Sequence, residues 1–370
     1  MSDYRINCLF VIDDLGSGGS QRQMVETALQ FAKLGYNVNV AYYFMRDYYE
    51  DILISNNIKT IKILIGSPLK RILKFRHLIR KGNYDYVISY LGVPNFICEL
   101  ASIPSKKWRL IVNERSADPK ILSSFKSWFI RLFHLSADNI VCNSVSSLNI
   151  VRKVNPFIPE RKLSVIYNMI DPDLWKPLDA YQFRKSGQLR IVVAASQRYL
   201  KNLSGLLKAL LLLTNEEKRS LSIDWYGDRL QPPFLDNSVT EGMDFIERFQ
   251  LNDIIRLFPA TKNIKNIMLE ADVIALFSFF EGLPNSICEG MALGKPVIAS
   301  SVSDIPLIIE DGINGKLCNP DDPESIAAVL RWFSEQDNEK LAQMGRSNRK
   351  KAVELFDKNI IMDKYLELIK

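Results

Sequence analysis

Apolar runs alternate with helix-patterned segments twice along this 370-residue chain, and that alternation constrains the fold more than any other feature. In the first half the runs cover residues 6–12, 37–43, 59–65, 84–90, 109–113, 139–143 and 163–167. In the second half they cover 189–195, 221–226, 254–258, 273–277 and 296–299. Helical patterns lie between most of them, as at 21–34, 204–213 and 325–335. Strand and helix in strict turn predict an α/β protein with mostly parallel, doubly wound sheets joined by right-handed crossovers.

The two series meet at Asp171-Pro-Asp-Leu-Trp-Lys-Pro177 and a polar stretch reaching Gly187. Two prolines there forbid a regular helix or a central strand, and a fresh strand begins at Leu189. The expected domains are therefore 1–176 and 177–355, two Rossmann-like halves facing a cleft, with a helix over 356–370 returning to the first half. Charge divides along the same line: residues 1–176 hold 24 Lys and Arg against 15 Asp and Glu, the remainder 24 against 27. A basic half beside a faintly acidic one predicts an anionic surface or substrate on the N-terminal side. No nucleic-acid module is recognisable, so nucleic acid is not the expected partner. Five scattered cysteines without a Cys-x-x-Cys pair, and only His77 and His134, argue against a zinc or disulfide framework and for a reducing, cytoplasmic setting. No run nears the roughly 20 apolar residues a spanning helix needs.

Three loops carry candidate chemistry. Glu281-Gly-Leu-Pro-Asn-Ser-Ile-Cys-Glu289 follows one apolar run and precedes a short predicted helix. Glu281 then sits at a strand's carboxyl end, and Glu289 in the first turns of a helix whose N-terminus favours phosphate. Ser286-x-x-Glu289 also reads as a capping box, so a purely structural role stays open. Gly16-Ser-Gly-Gly-Ser20 joins the first strand to the first helix, where Gly18 and Gly19 allow close backbone approach and Ser20 is placed to cap. It lacks the third glycine of a dinucleotide fingerprint and the Lys of a P-loop, and a merely tight turn remains an alternative. Ser196-Gln-Arg-Tyr-Leu-Lys-Asn202 sets Arg198 and Lys201 beyond another strand, either to neutralise a diphosphate or as ordinary solvated charges.

Glu281-x7-Glu289, its continuation Gly290-Met-Ala-Leu-Gly-Lys-Pro-Val-Ile-Ala-Ser300, and Glu310-Asp-Gly-Ile-Asn-Gly315 with Asn319-Pro-Asp-Asp322 resemble the retaining glycosyltransferase family 4, whose members have the GT-B fold. Tyr167-Asn168-Met-Ile-Asp171 resembles a strand-ending element of that family, with Met169 where glycine is usual. Gly18-Gly19-Ser-Gln-Arg22 resembles its N-terminal loop, with Gln21 in place of glutamate. The resemblance implies that Glu281 binds donor-sugar hydroxyls and Glu289 the ribose. It implies that Lys201 and Arg198 stabilise the leaving diphosphate, with Gly282, Leu283, Pro284, Asn285, Gly18, Gly19 and Ser196 around the donor. Ser196 stands five residues before Lys201, where the family usually has arginine, so Lys201 transfers more directly than Arg198. The expected reaction is retaining transfer of a sugar from a nucleotide diphosphate, most simply UDP, to a glycan acceptor such as a lipid-linked saccharide. Fixed cations would stabilise the departing diphosphate, so neither a metal nor a cofactor is expected. The acceptor side stays unassigned, because Ser89-Tyr-Leu-Gly92 occupies a position where many relatives carry histidine. The rivals are a UDP-sugar epimerase or phosphorylase on the same fold, and a non-catalytic partner subunit.

Two segments bear on a membrane. Leu69-Lys-Arg-Ile-Leu-Lys-Phe-Arg-His-Leu-Ile-Arg-Lys81 predicts a helix with Leu69, Ile72, Leu73 and Ile79 on one face and basic residues opposite, suited to cover a sheet or to lie on anionic lipid. Phe125-Lys-Ser-Trp-Phe-Ile-Arg-Leu-Phe133 is more aromatic than a water-facing helix needs. The expectation is a cytoplasmic protein with peripheral contact to the inner membrane face.

Overall fold

The computed structural model describes residues 5–179, 183–184, 187–229 and 236–370. Part of the expected linker, at 180–182 and 185–186, lies outside the described residues. The chain divides into two compact units, Met1–Met169 with Asn359–Lys370, and Ile170–Lys358. Residues 170–176, read from sequence as the end of the first half, thus fall within the second unit.

The first unit is a seven-stranded parallel sheet of β1 (Asn7–Val11), β2 (Asn37–Tyr42), β3 (Lys59–Lys62), β4 (Tyr86–Tyr90), β5 (Arg109–Glu114), β6 (Asn139–Cys142) and β7 (Leu163–Val165). Its order is β3-β2-β1-β4-β5-β6-β7, so the winding reverses between β1 and β4. Strand residues alternate between faces. Leu9, Val11, Val87, Leu110 and Val112 join Phe75, Ile79 and Ile97 on one side. Phe10, Val40, Tyr42, Ile88, Tyr90 and Ile111 pack on the other with Met24, Phe31 and the C-terminal residues Ile361, Met362, Tyr365 and Ile369. Burial on both faces is why the strands read as unbroken apolar runs. Tyr365 also donates to Asn113 Oδ1 at 2.8 Å, fixing the last helix to the sheet.

The second unit carries β8 (Leu189–Ala194), β9 (Leu221–Tyr226), β10 (Ile255–Phe258), β11 (Val273–Leu276), β12 (Val297–Ser300) and β13 (Gly315–Cys318). All pairs are parallel in the order β10-β9-β8-β11-β12-β13, and the winding reverses between β8 and β11. Ile191, Val193, Ile223, Trp225, Val273 and Ala275 meet Leu206, Leu210, Ile326 and Leu330 from the covering helices. Each of the valine, leucine and isoleucine side chains among them contributes about 1.5–3 kcal/mol when fully buried.

The 68–81 region departs from expectation. The Pro68–Lys81 helix buries Phe75 and Ile79, while Leu69 and Leu73 face outward. Three of its arginines hold neighbouring carbonyls. Arg71 donates to Ile65 O at 2.9 Å and lies over the Tyr43 ring. Arg76 donates to Leu100 O and Ile103 O, and Arg80 to Ala101 O and Ser105 O. These carbonyls lie at and beyond the C-terminal end of the Gly92–Ala101 helix, where cations are favoured. The exposed Lys and Arg residues of this helix are Lys70, Lys74, Arg80 and Lys81, and Arg80 is already engaged by its two carbonyls.

Candidate active site

In an open parallel sheet, ligands bind beyond the carboxyl ends of the strands where the winding reverses. In the second unit that place lies between the loops after β8 and β11, and these carry Lys201 and Glu281. Their side chains form an ion pair and are 14% and 12% exposed. The loops are tied together twice more: Phe279 N donates to Leu200 O at 3.0 Å, and the Tyr199 and Phe279 rings stack at 5.2 Å.

Local sequence explains the β8 loop. Gly227, just past β9, lies where an added Cβ would meet Ala195 O at 1.9 Å, so only glycine lets the chains approach. Asn202 takes a left-handed φ of 63° and accepts from Gly205 N at 3.0 Å, capping the Leu203–Leu211 helix. Its amide donates to Pro320 O at 2.7 Å, anchoring the loop that presents Lys201. Arg198 Nε donates to Ser196 Oγ at 2.9 Å, so the arginine and the serine act as one polar group.

The β11 loop is shaped by Ser303, whose hydroxyl donates to Glu281 O. Beyond it, Gly282, Leu283 and Pro284 lead to the Asn285–Ala292 helix. The capping-box expectation is corrected here. Pro284 occupies the N-cap with no side-chain cap, placing Ser286 inside the helix and Glu289 in its second turn. Proline's restricted φ settles the start ahead of the position the serine pattern implies. Glu289 is buried at 3% exposure. The glycines of the following motif are structural. A Cβ on Gly290 would lie 2.9 Å from Ile274 of β11, and Gly294 ends the helix at φ 66°. Asn314, in the second motif, bonds Glu310 N and Ile308 O to close the turn before β13.

Gly18 and Gly19 lie in the first unit, after β1, at that sheet's own reversal. Gly18 is the N-cap of the Gly19–Lys33 helix with no side-chain cap, so Ser20 does not cap it. Asp13 and Asp14 precede this turn, a pair that in sequence looks like no more than strand-ending polar residues. Burial, then the neighbouring Asp14, push the Asp13 carboxyl up to about 6. Gln21 Nε2 donates to both, at 3.2 and 3.1 Å. A glutamate at 21 would put a third carboxylate here, which gives the departure from the family pattern a physical reason. Met169, the other departure, is buried and exchanges two hydrogen bonds with Gln23. Ser89 is buried and donates to Asn95, so it is not presented to a ligand.

His134 lies outside this chemistry. It is buried between Glu99 (2.5 Å) and Glu114 (3.3 Å), and Arg131 pairs with Glu114 at 2.8 Å. Among the described residues no group of three or more His, Cys, Asp or Glu is placed to hold a metal ion. Asp171, of the Asp171-Pro-Asp173 segment, accepts from Asp173 N and Lys358 Nζ. No helix among the described residues is long and apolar enough to cross a membrane.

Comparison with known proteins adds the following. Residues 17–174 match the model "Glycosyltransferase Family 4" and residues 188–336 the model "Glycosyl transferases group 1". A relative from Salmonella typhimurium, named as a putative colanic acid biosynthesis glycosyltransferase, is 33% identical over 31% of this chain and 30% of its own length. The first two curated relatives are each matched over only 30% of their length. A Campylobacter jejuni enzyme is similar along 97% of both chains at 24% identity. It is named as an α-1,4-N-acetyl-D-galactosaminyltransferase acting on a diphospho-undecaprenol-linked saccharide. Among solved structures, Anabaena Alr3699/HepE in complex with UDP-glucose superimposes with a TM-score of 0.83 at 21% identity, covering 98% of this chain and 99% of that one. The sucrose-phosphate synthase of Thermosynechococcus elongatus gives 0.82 at 16% identity, covering 98% of each chain. The chain therefore has the GT-B fold, with glycosyltransferase domain models matching its first and second halves in turn.

Proposed function

We propose that this protein is a retaining glycosyltransferase of the hexosyltransferase type. It moves a sugar from a nucleotide diphosphate, most simply UDP, to a glycan acceptor in surface polysaccharide assembly, and the names of the relatives matched along nearly their whole length support a lipid-linked saccharide as that acceptor. The observation that carries the proposal is the Lys201–Glu281 pair at the β8–β11 reversal. Cleaving a sugar–phosphate bond builds negative charge on the diphosphate and positive charge at the anomeric carbon. Lys201 offers a fixed ammonium to the first, with Arg198 in the same loop, and Glu281 offers acceptor oxygens to the sugar hydroxyls. At rest the two neutralise each other, so donor binding exchanges an internal ion pair for two ligand contacts. Gly282 to Asn285 and the Asn285–Ala292 helix N-terminus add backbone donors, and Glu289 is assigned the ribose. Because these cations are built in, transfer is read as metal-independent, and EDTA should leave the rate unchanged.

Screening nucleotide-sugars by thermal shift tests the donor, since a ligand at 100 times its Kd stabilises by about 2.7 kcal/mol. No shift with any nucleotide diphosphate would sink the proposal. Labelled UDP-sugar without acceptor separates the rivals: epimerised product identifies an epimerase, and the absence of turnover with every acceptor a partner subunit.

Peripheral membrane contact is proposed through the first unit, with its site moved from the basic helix to the aromatic one. Phe125 (77% exposed), Trp128 (41%) and Phe129 project from the Phe125–Leu132 helix. Their rings form a chain of contacts with Phe133 and Phe96. Lys120 and Lys126 lie beside them in sequence. Trp and Phe suit the lipid interface, and each lysine near an anionic surface adds about 1 kcal/mol. Replacing Phe125 and Trp128 by Ser should cut sedimentation with anionic vesicles on the order of tenfold and leave neutral vesicles indifferent. Unchanged sedimentation would return the basic helix to consideration.

A further inference from the structure

Arg115 follows β5 at the carboxyl edge of the first sheet, and it is buried without a counter-ion. It is 9% exposed, yet no carboxylate among the described residues lies within 4.0 Å of it. Its Nη1 donates to Asn168 Oδ1 at 3.2 Å, and its guanidinium carbon sits 4.9 Å from the centre of the Tyr90 ring. Its Nε is buried and donates to nothing, while Nη2 makes no hydrogen bond among the described residues and is not sealed from the surface.

The preceding residue supplies the control. Glu114 pairs with Arg131, which is as deeply buried as Arg115, and Glu114 also faces His134. The fold thus neutralises one buried guanidinium in this neighbourhood and leaves the other open. An unpaired buried charge opposes folding, and strain of this kind is retained where a ligand relieves it. The clamp fits that use. Tyr90 ends β4, Arg115 follows β5 and Asn168 follows β7, so three strand ends fix the guanidinium flat before any ligand arrives.

We propose that Arg115 anchors an oxyanion subsite in the first unit, with Nη2 donating to a phosphate oxygen of a second substrate distinct from the donor. The acceptor as its occupant rests on the transferase reading, whereas the subsite does not. Phosphate is favoured over a single carboxylate because residues 1–176 carry nine more basic than acidic residues.

The test uses the full chain labelled with ¹⁵N-arginine, with the Arg115 Nε–H resonance assigned by its absence in Arg115→Gln. Inorganic pyrophosphate should shift that resonance saturably, and should still do so with UDP at saturation, whereas sodium chloride at matched ionic strength should not. A resonance that stays still, moves equally with chloride, or responds to UDP and then ignores pyrophosphate would overturn the subsite. Under the transferase reading, Arg115→Gln should raise the acceptor KM at least tenfold with donor KM unchanged, and Arg115→Lys should recover part of it. A protein that transfers to no acceptor but shows the saturable shift keeps the subsite and loses the transferase.

Discussion

The carboxyl edges of the two sheets share a topology and differ in how they hold charge. In the second unit the loops after β8 and β11 bring opposite charges together, Lys201 against Glu281. In the first unit the loop after β1 crowds two like charges, Asp13 and Asp14, and β5 is followed by Arg115, which has no carboxylate partner among the described residues. Parallel winding fixes where a ligand can sit in each unit, but side chains decide what it must displace. The second edge is compensated at rest and must exchange a pair for a ligand. The first stores charge that a ligand or a proton would relieve.

The largest test of that contrast is to open the compensated pair. Glu281→Gln and Lys201→Met should each lower transfer by about 10²–10³-fold, the usual cost of removing one group that stabilises developing charge. Each also leaves a half-buried partner alone, so the urea midpoint should fall as well. The split between the two readouts is informative. A variant with wild-type turnover and a lowered midpoint would make the pair a fastener between loops rather than donor machinery.

The buried pairs of the first unit supply the next test, on stability alone. Burial by itself would lower the His134 pKa, but Glu99 and then Glu114 outweigh it and hold it near 9 against an ordinary 6.5. Burial would raise Glu114, yet Arg131 and then His134 bring it to about 2 against an ordinary 4.5. A raised histidine stabilises fully below about 6.5, and the benefit fades as pH climbs through 9. A lowered carboxylate stabilises above about 4.5, and the benefit fades as pH falls through 2. Both contribute between pH 4.5 and 6.5. Glu114→Gln should cost about 3–5 kcal/mol in urea unfolding near pH 6, because it strands Arg131, while leaving UDP binding by the second unit unchanged. A loss of UDP affinity would contradict the separation of roles.

What could be read in advance follows the same division between topology and pairing. Strands buried on both faces stand out as apolar runs, so the sequence marks twelve of the thirteen strands among the described residues to within a few positions. β13 was missed because Gly315–Cys318 is a four-residue edge strand with a lysine inside and no apolar run. Glu281 and Lys201 were legible as loop charges after strands. Their pairing was not, since 80 residues and three strands separate them and only the sheet order makes β8 and β11 neighbours. The Pro68–Lys81 helix was placed correctly but its face was misjudged, because the carbonyls that engage Arg76 and Arg80 belong to another helix and the loop after it. Arg115 gives no signal in the sequence, because Tyr90 and Asn168, which enclose it, lie 25 and 53 residues away along the chain.

The smallest expected effect concerns the like charges after β1. Asp13 titrates near 6 because burial and Asp14 disfavour its anion, so the folded state holds its proton more tightly than the unfolded one. The sign is therefore opposite to that of Glu114. Stability falls as pH rises from about 3.8 to 6, and the loss is complete above that. An asparagine in place of Asp13 would keep an oxygen to accept from Asp14 N, now at 2.9 Å, and would remove the charge. Asp13→Asn should therefore gain about 1 kcal/mol at pH 8 and nothing at pH 4, a modest figure because the group is partly exposed. Gln21→Glu should do the reverse, losing two donated hydrogen bonds and adding a third carboxylate, with the penalty easing as pH drops below 6. If both variants unfold at the wild-type urea concentration at pH 8, the first edge stores no charge there. The contrast between the two sheets would then rest on Arg115 alone.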